Sequence, residues 1–273
     1  MILDYFLTIL ALATFTQGVA ITVHPAADCK SNQPKKNTSD VYSSVARAGD
    51  FDYGLSENSS PIAEGGPILP ASACGGQYYD FSIMNDIGPF VVENCAQNVI
   101  IAESELQLAL TPGCSPTVRY PNLLNKGIVE FVIKMGAGSG VVSAIVLYGP
   151  NSDEVDIEYV GKVPNTFQSM YFPQAQRRGQ FELYHTSNPE TDLSATYHKY
   201  GIEKTENAYR WYIDDQLVRT IDSSDPAFPG QANTLKFGIW DGSGTAGWAG
   251  TVDYFNGQSK YMAIKSINYA PYC

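Results

Sequence analysis

The sequence predicts an all-β chain built as two stacked antiparallel sheets. Short stretches that alternate apolar and polar residues recur at Ile128 to Lys134, Val155 to Val160, Arg210 to Ile213 and Leu235 to Trp240, and period-two alternation marks half-buried strands. Gly, Pro and Asn punctuate them, and 18 Tyr, 12 Phe and 24 Gly suit pleated surfaces joined by tight turns. No stretch keeps the 3.6-residue apolar period of a long helix and no repeat recurs at a fixed interval, which sets bundles and solenoids aside.

Taken in order, residues 1–20, "MILDYFLTILALATFTQGVA", hold an apolar run too short for a membrane span, with Gly18 and Ala20 placed as before a signal-peptidase cut. A signal peptide is expected there, although Asp4 replaces the usual basic start. Residues 21–73 mix Ser, Asn, Pro, Gly and Lys with few large apolar side chains, and carry glycosylation sequons at Asn37 and Asn58. They are expected to form a polar, disordered, glycosylated extension. The folded domain is expected over 74–273. "VVENCAQNVIIAESELQLAL" supplies two or three strands, "GIVEFVIKM" another, and "GVVSAIVLYG" a nearly continuous apolar run that should be buried on both faces. After "DEVDIEYVG" come "FQSMYF", "FELYHT", "ATYHKYGIEK", "YRWYIDDQLVRTI", "NTLKFGIW" and "YMAIKSINYA", for about a dozen strands in all.

The stretch "DEVDIEYVG" (153–161) carries the chemistry. On a helix its acidic residues scatter, whereas on a strand Glu154, Asp156 and Glu158 line one face and Val155, Ile157 and Tyr159 the other. The acid row is expected to face solvent. Two carboxyl groups about 5 to 5.5 Å apart can cleave a glycosidic bond with retention, one as nucleophile and one as proton donor. Crowding separates their proton affinities, so one stays protonated as acid while the other, held by Asp156, attacks. Spacing alone also admits a merely solvated acidic strand or a calcium site, although the flanking loop lacks the usual calcium-loop spacing.

The acid strand, followed by "NTFQSMYF", "RRG", "GIW" and the Thr251 of "GTVDY", resembles glycoside hydrolase family 16. More narrowly, it is similar to the fungal Crh-type transglycosylases that cross-link chitin to β-glucan. The resemblance spans about residues 75 to 270 and implies a concanavalin-like β-jelly-roll sandwich with a concave glycan cleft. It implies Glu154 as nucleophile, Glu158 as acid/base and Asp156 as auxiliary, with Lys236, Trp240 and Thr251 contacting the acceptor sugar. Gln168 corresponds to a residue near the donor sugar, and Arg178 to the Arg of a family D-R-G turn. The sequence departs from the family pattern at "DGSG" (241–244) and "VDYFNG" (252–257), where acceptor recognition is concerned, and lacks a tryptophan expected near Lys204.

Alternation supports part of this independently. In "LKFGIW", Lys236, Gly238 and Trp240 share one face, a cation, a gap and an aromatic plate that could cover a pyranose. Each has an ordinary alternative: Trp240 in the core, Lys236 and Gln168 on the surface, Arg178 paired with an acid. Trp211 could line the cleft or pack the core, and His198 is read as structural.

Five cysteines follow the expected cut without CxxC or metal spacing, so disulfides are expected among Cys74, Cys95, Cys114 and Cys273, in any of three pairings, with Cys29 left over. The net charge of −11 argues against nucleic acid, because no basic stripe exists to neutralise phosphates. A neutral polysaccharide fits better. The expected protein is a secreted, extracellular or cell-wall monomer with no membrane span after the leader and no metal or other cofactor. It would transfer glycosyl groups from chitin to β-glucan or chitin, with some hydrolysis. A secreted β-1,3- or β-1,3-1,4-glucan hydrolase is the alternative, and a non-catalytic glycan-binding module a weaker one.

Overall fold

The computed structural model describes residues 74–177, 181–187, 190–245, 247–255 and 260–273 of the 273-residue chain. The expected leader and extension, with Cys29, Asn37 and Asn58, lie outside the described residues, as does Arg178. Fifteen strands follow in chain order: β1 (Gln77–Asp80), β2 (Val91–Asn94), β3 (Val99–Ala102), β4 (Glu105–Ala109), β5 (Thr117–Leu123), β6 (Gly127–Lys134), β7 (Val141–Tyr148), β8 (Glu154–Val160), β9 (Thr166–Phe172), β10 (Leu183–Thr186), β11 (His198–Lys204), β12 (Ala208–Ile213), β13 (Gln216–Asp222), β14 (Thr234–Asp241) and β15 (Tyr261–Pro271). One sheet has eight strands, in the order β13-β12-β11-β6-β15-β4-β3, with β1 also paired to β15; the other has seven, in the order β10-β9-β8-β7-β14-β5-β2. The ladders are antiparallel, so the expected two-sheet sandwich is present.

The alternating residues explain the sandwich. Val155, Ile157 and Tyr159 of β8, Ile145 and Leu147 of β7, and Leu235, Phe237 and Ile239 of β14 point inward against Phe131, Tyr200, Ile202, Tyr209 and Trp211 of the facing sheet. The run in β7 is buried at seven of its eight positions, as its continuous apolar character requires. Trp211 is fully buried in this core, and its indole N–H donates to the Asp156 carbonyl at 2.8 Å. It packs under the acid strand and does not line a cleft. His198 pairs with Asp214 at 2.8 Å in a structural contact.

The strand count exceeds the dozen expected. β5 was illegible because Pro121 interrupts its pattern; the register between β5 and β14 shifts there, which accommodates a residue that cannot donate to the ladder. Cys74–Cys273 joins the start of the described domain to its end, and Cys95–Cys114 closes a shorter loop. No helix among the described residues is long and apolar enough to cross a membrane.

Candidate active site

The seven-stranded sheet turns its second face away from the core, and register assigns its side chains to rows. Tyr148, Glu154 and Phe172 form one row, and Lys236, Val146, Asp156 and Met170 the next. A third holds Gly238, Ala144, Glu158, Gln168 and Tyr184, and a fourth begins with Trp240, Val142 and Val160. Ala144, a small side chain, lies beside Glu158, with Gly238 beyond it on β14. Gly238 is glycine because a Cβ there would lie 2.5 Å from the Pro116 carbonyl oxygen.

The acid row does not face open solvent as expected. Asp156 is 1% exposed and Glu158 5%, while Glu154 is half-buried. Strands β7 and β9 set buried side chains alongside it on the same face, which the alternation of one strand cannot reveal. Burial pushes the Glu158 carboxyl up to about 8, helped by the charge of Glu154 and opposed by Arg177. Burial also lifts Glu154, but a hydrogen bond from Asp156, the Arg177 charge and the Tyr148 hydroxyl restrain it to about 7. Asp156 is raised well above the ordinary range, by burial first and then by Glu154 and Glu158. Neither oxygen of Asp156 meets an N–H or hydroxyl donor. Its partner is the Glu154 carboxylate, so the proton that joins them resides on Asp156. Asp156 and Glu158 thus keep their protons, and Glu154, held by Asp156, Arg177 and Tyr148, ionises first.

The Tyr148 hydroxyl donates to Glu154 Oε1 at 3.4 Å. Lys236 is buried, its Nζ 2.7 Å from Glu93 Oε2 and over the Tyr148 ring, so it is not a solvated surface lysine. Gln168 is buried opposite Glu158, and its Oε1 meets no donor. Trp240 is buried, in a small hydrophobic cluster with Val142, Val160 and Ala249 apart from the main core, and its indole stacks on Trp248 with ring centroids 6.1 Å apart, so burial matches the core alternative and Trp248 covers it. Thr251 is exposed on the loop that carries Trp248, its backbone N–H on Ser139 Oγ. That loop is held down where Lys162 Nζ donates to the Gly247 carbonyl at 2.6 Å. Glu154, Asp156, Glu158, Gln168, Lys236 and Trp240 thus share one face, and Thr251 lies at its border.

Three participants escaped sequence reasoning. Arg177, whose positive charge bears on all three acids and whose guanidinium lies 5.0 Å over the Phe172 ring, was passed over in favour of Arg178. Tyr148 closes the apolar run of β7, and its alignment with Glu154 emerges only from the register. Trp248 reaches from Trp240 to the Tyr184 hydroxyl and bounds the face at the Glu158 end. Only its aromatic character in a glycine-rich loop could have signalled it.

Comparison with known proteins gives the family of the chain. The model of glycosyl hydrolases family 16 matches residues 89–256. A Crh-like protein of Candida albicans, CRH11, is 31% identical over 217 residues, covering 74% of this chain and 46% of its own. Crh-like protein 2 of Botryotinia fuckeliana is 30% identical over 162 residues, covering 58% of this chain and 36% of its own. The chain therefore spans between a third and a half of the length of these relatives. The structure of the Crh5 transglycosylase in complex with NAG superposes with a TM-score of 0.64 at 29% identity, covering 73% of this chain and 85% of that one. A Bacillus licheniformis beta-glucanase shares the fold at 22% identity and a TM-score of 0.61, over 72% of this chain and 98% of that one. With three clustered carboxyls on the outward face of a jelly-roll sheet, and with the family model covering more than half of its length, the chain belongs to glycosyl hydrolases family 16.

Proposed function

We propose that the protein is a retaining transglycosylase of cell-wall polysaccharides, taking chitin as donor and β-glucan or chitin as acceptor, with some hydrolysis of the donor. The observation that carries the chemistry is the trio on β8, with Glu154, Asp156 and Glu158 on one face, both glutamates raised in pKa by burial, and Glu154 held by Asp156, Arg177 and the Tyr148 hydroxyl. The choice of transfer and of chitin leans on the likeness to the Crh5 transglycosylase and the Crh-like proteins.

Glu154 attacks the anomeric carbon, the glycosidic carbon–oxygen bond breaks, and Glu158 gives its proton to the departing oxygen. Asp156 donates to Glu154 and keeps it oriented, releasing its hold as charge leaves the carboxylate. In the second half, Glu158, now ionised, takes a proton from an acceptor hydroxyl whose oxygen displaces Glu154 from the anomeric carbon. Gln168, beside Glu158 with an unfilled acceptor oxygen, binds a donor hydroxyl. Trp240, Lys236 and Thr251 hold the acceptor, and Arg178 binds sugar hydroxyls. On this reading residues 1–20 are a leader, 21–73 an extension and 74–273 the catalytic domain, acting as a monomer outside the cell or in its wall. Two disulfides suit such an oxidising compartment.

Incubating the purified protein with chitin oligomers and a fluorescent β-1,3-glucan oligomer tests the proposal. Longer fluorescent products are expected. Shortened chitin oligomers with an unchanged label would make it a hydrolase, and unchanged substrates would remove the catalytic reading.

A further inference from the structure

The face of the eight-stranded sheet turned away from the core is not used by the acid cluster. Register sets Leu217, Tyr212, Gly201, Glu130, Asn268 and Tyr78 in one row across six adjacent strands. Five strand-to-strand steps make this row ~24 Å long. Near its two ends stand large apolar side chains left in solvent, Leu217 at 54% and Tyr78 at 42% exposure. Between them Gly201 opens a depression of about 260 Å³, walled by Glu130, Lys199, Glu203, Tyr212 and Tyr272.

Neither backbone nor packing demands a glycine here. Gly201 lies inside β11, its φ is outside the left-handed region, and a Cβ built on it would meet nothing nearer than 3.4 Å. Glycine within a strand weakens it, and it persists where something must approach the backbone from outside. The chemistry of the walls says what. Lys199 pairs with Glu130 at 3.6 Å and with Asp215, while Glu203 accepts from Arg210 at 2.8 Å, Tyr212 at 2.8 Å and Tyr272 at 2.7 Å. With its carboxylates already paired, the depression has little net charge to hold an ion. It still offers tyrosine rings and spare carboxylate lone pairs. An uncharged ligand with many hydroxyls and apolar ring faces fits such a surface.

We propose that this row is a second glycan-binding groove, which lays a neutral polysaccharide strand across the eight-stranded sheet and tethers the protein to insoluble wall polymer while the acid cluster works on the opposite side. The ligand class rests on the proposed function; the groove itself does not. The test is depletion of Glu154→Gln protein from solution by chitin particles and by β-1,3-glucan particles, with a soluble trisaccharide in excess to fill the acid face. Gly201→Val, and separately the pair Tyr78→Ala with Leu217→Ala, should each weaken this binding by about tenfold. The same substitutions in the active protein should leave turnover of short soluble oligosaccharides within about twofold, because they lie on the other sheet. Unchanged particle binding in both variants would overturn the proposal, as would wild-type binding that the trisaccharide abolishes. Groove-dependent binding by a protein that turns over no oligosaccharide would uphold the groove and remove the catalytic reading instead.

Discussion

Glu158→Gln should make the protein more stable at alkaline pH and leave it unchanged at acid pH. Glu158 is buried, and its folded-state pKa of about 8 stands far above the ordinary 4.5. The folded state therefore prefers the protonated acid, so this group favours folding fully below pH ~4.5 and ceases to do so as pH rises through about 8. At ~1.4 kcal/mol per pH unit, that gap sets a ceiling of roughly 5 kcal/mol. Relaxation and entering water give buried sites an effective dielectric nearer 20 than 4, so we expect ~1 to 2 kcal/mol to survive. For a domain of this size each kcal/mol moves the melting temperature by ~2 to 4 °C, which puts the gain at roughly 2 to 8 °C. The neutral amide reproduces the protonated acid, so the melting temperatures of variant and wild type should coincide near pH 4 and diverge by that amount near pH 8.5. Thermal melts followed by circular dichroism across this range provide the assay. An offset independent of pH, or a variant less stable than wild type at pH 8.5, would refute the electrostatic reasoning.

The pH profile of kcat/KM should rise near 7, where Glu154 ionises, and fall near 8, where Glu158 loses its proton; Arg177→Ala should move both limbs upward, because the Arg177 charge lowers both acids. Trp240→Ala should lower the ratio of transfer to hydrolysis by about tenfold while formation of the glycosyl-enzyme changes less, because the lost indole orients the acceptor and excludes water; product partitioning at rising acceptor concentration reads this out. The double variant Cys95→Ser with Cys114→Ser should lose ~3 kcal/mol in a urea melt, since the bridge closes a loop of 19 residues.

What the sequence disclosed depended on whether the signal was local to one strand. The alternation in 153–161 was enough to put Glu154, Asp156 and Glu158 together, and that in 235–240 to put Lys236 and Trp240 on one side. Their burial was not legible, because it comes from Val146, Met170 and Gln168 on flanking strands, which pairing alone brings alongside. Tyr148 and Arg177 act on the acids for the same non-local reason. Gly238 read as a gap for sugar, yet the approach of Pro116 already excludes a side chain there. The pairing of four cysteines was likewise open until the chain ends met at Cys74 and Cys273.

The central claim is a covalent link between sugar and Glu154, and trapping it is the most direct test. An aryl glycoside of a chitin oligomer, and in parallel one of a β-1,3-glucan oligomer, carries a leaving group that departs without an acid. Glu158→Gln then slows only the step that needs the base. Intact-mass spectrometry of this variant should show a gain equal to the donor's oligosaccharyl group, the aryl alcohol having departed, from at least one donor, and peptide mapping should place it on Glu154. No adduct from either donor, or an adduct on another residue, would contradict the assignment.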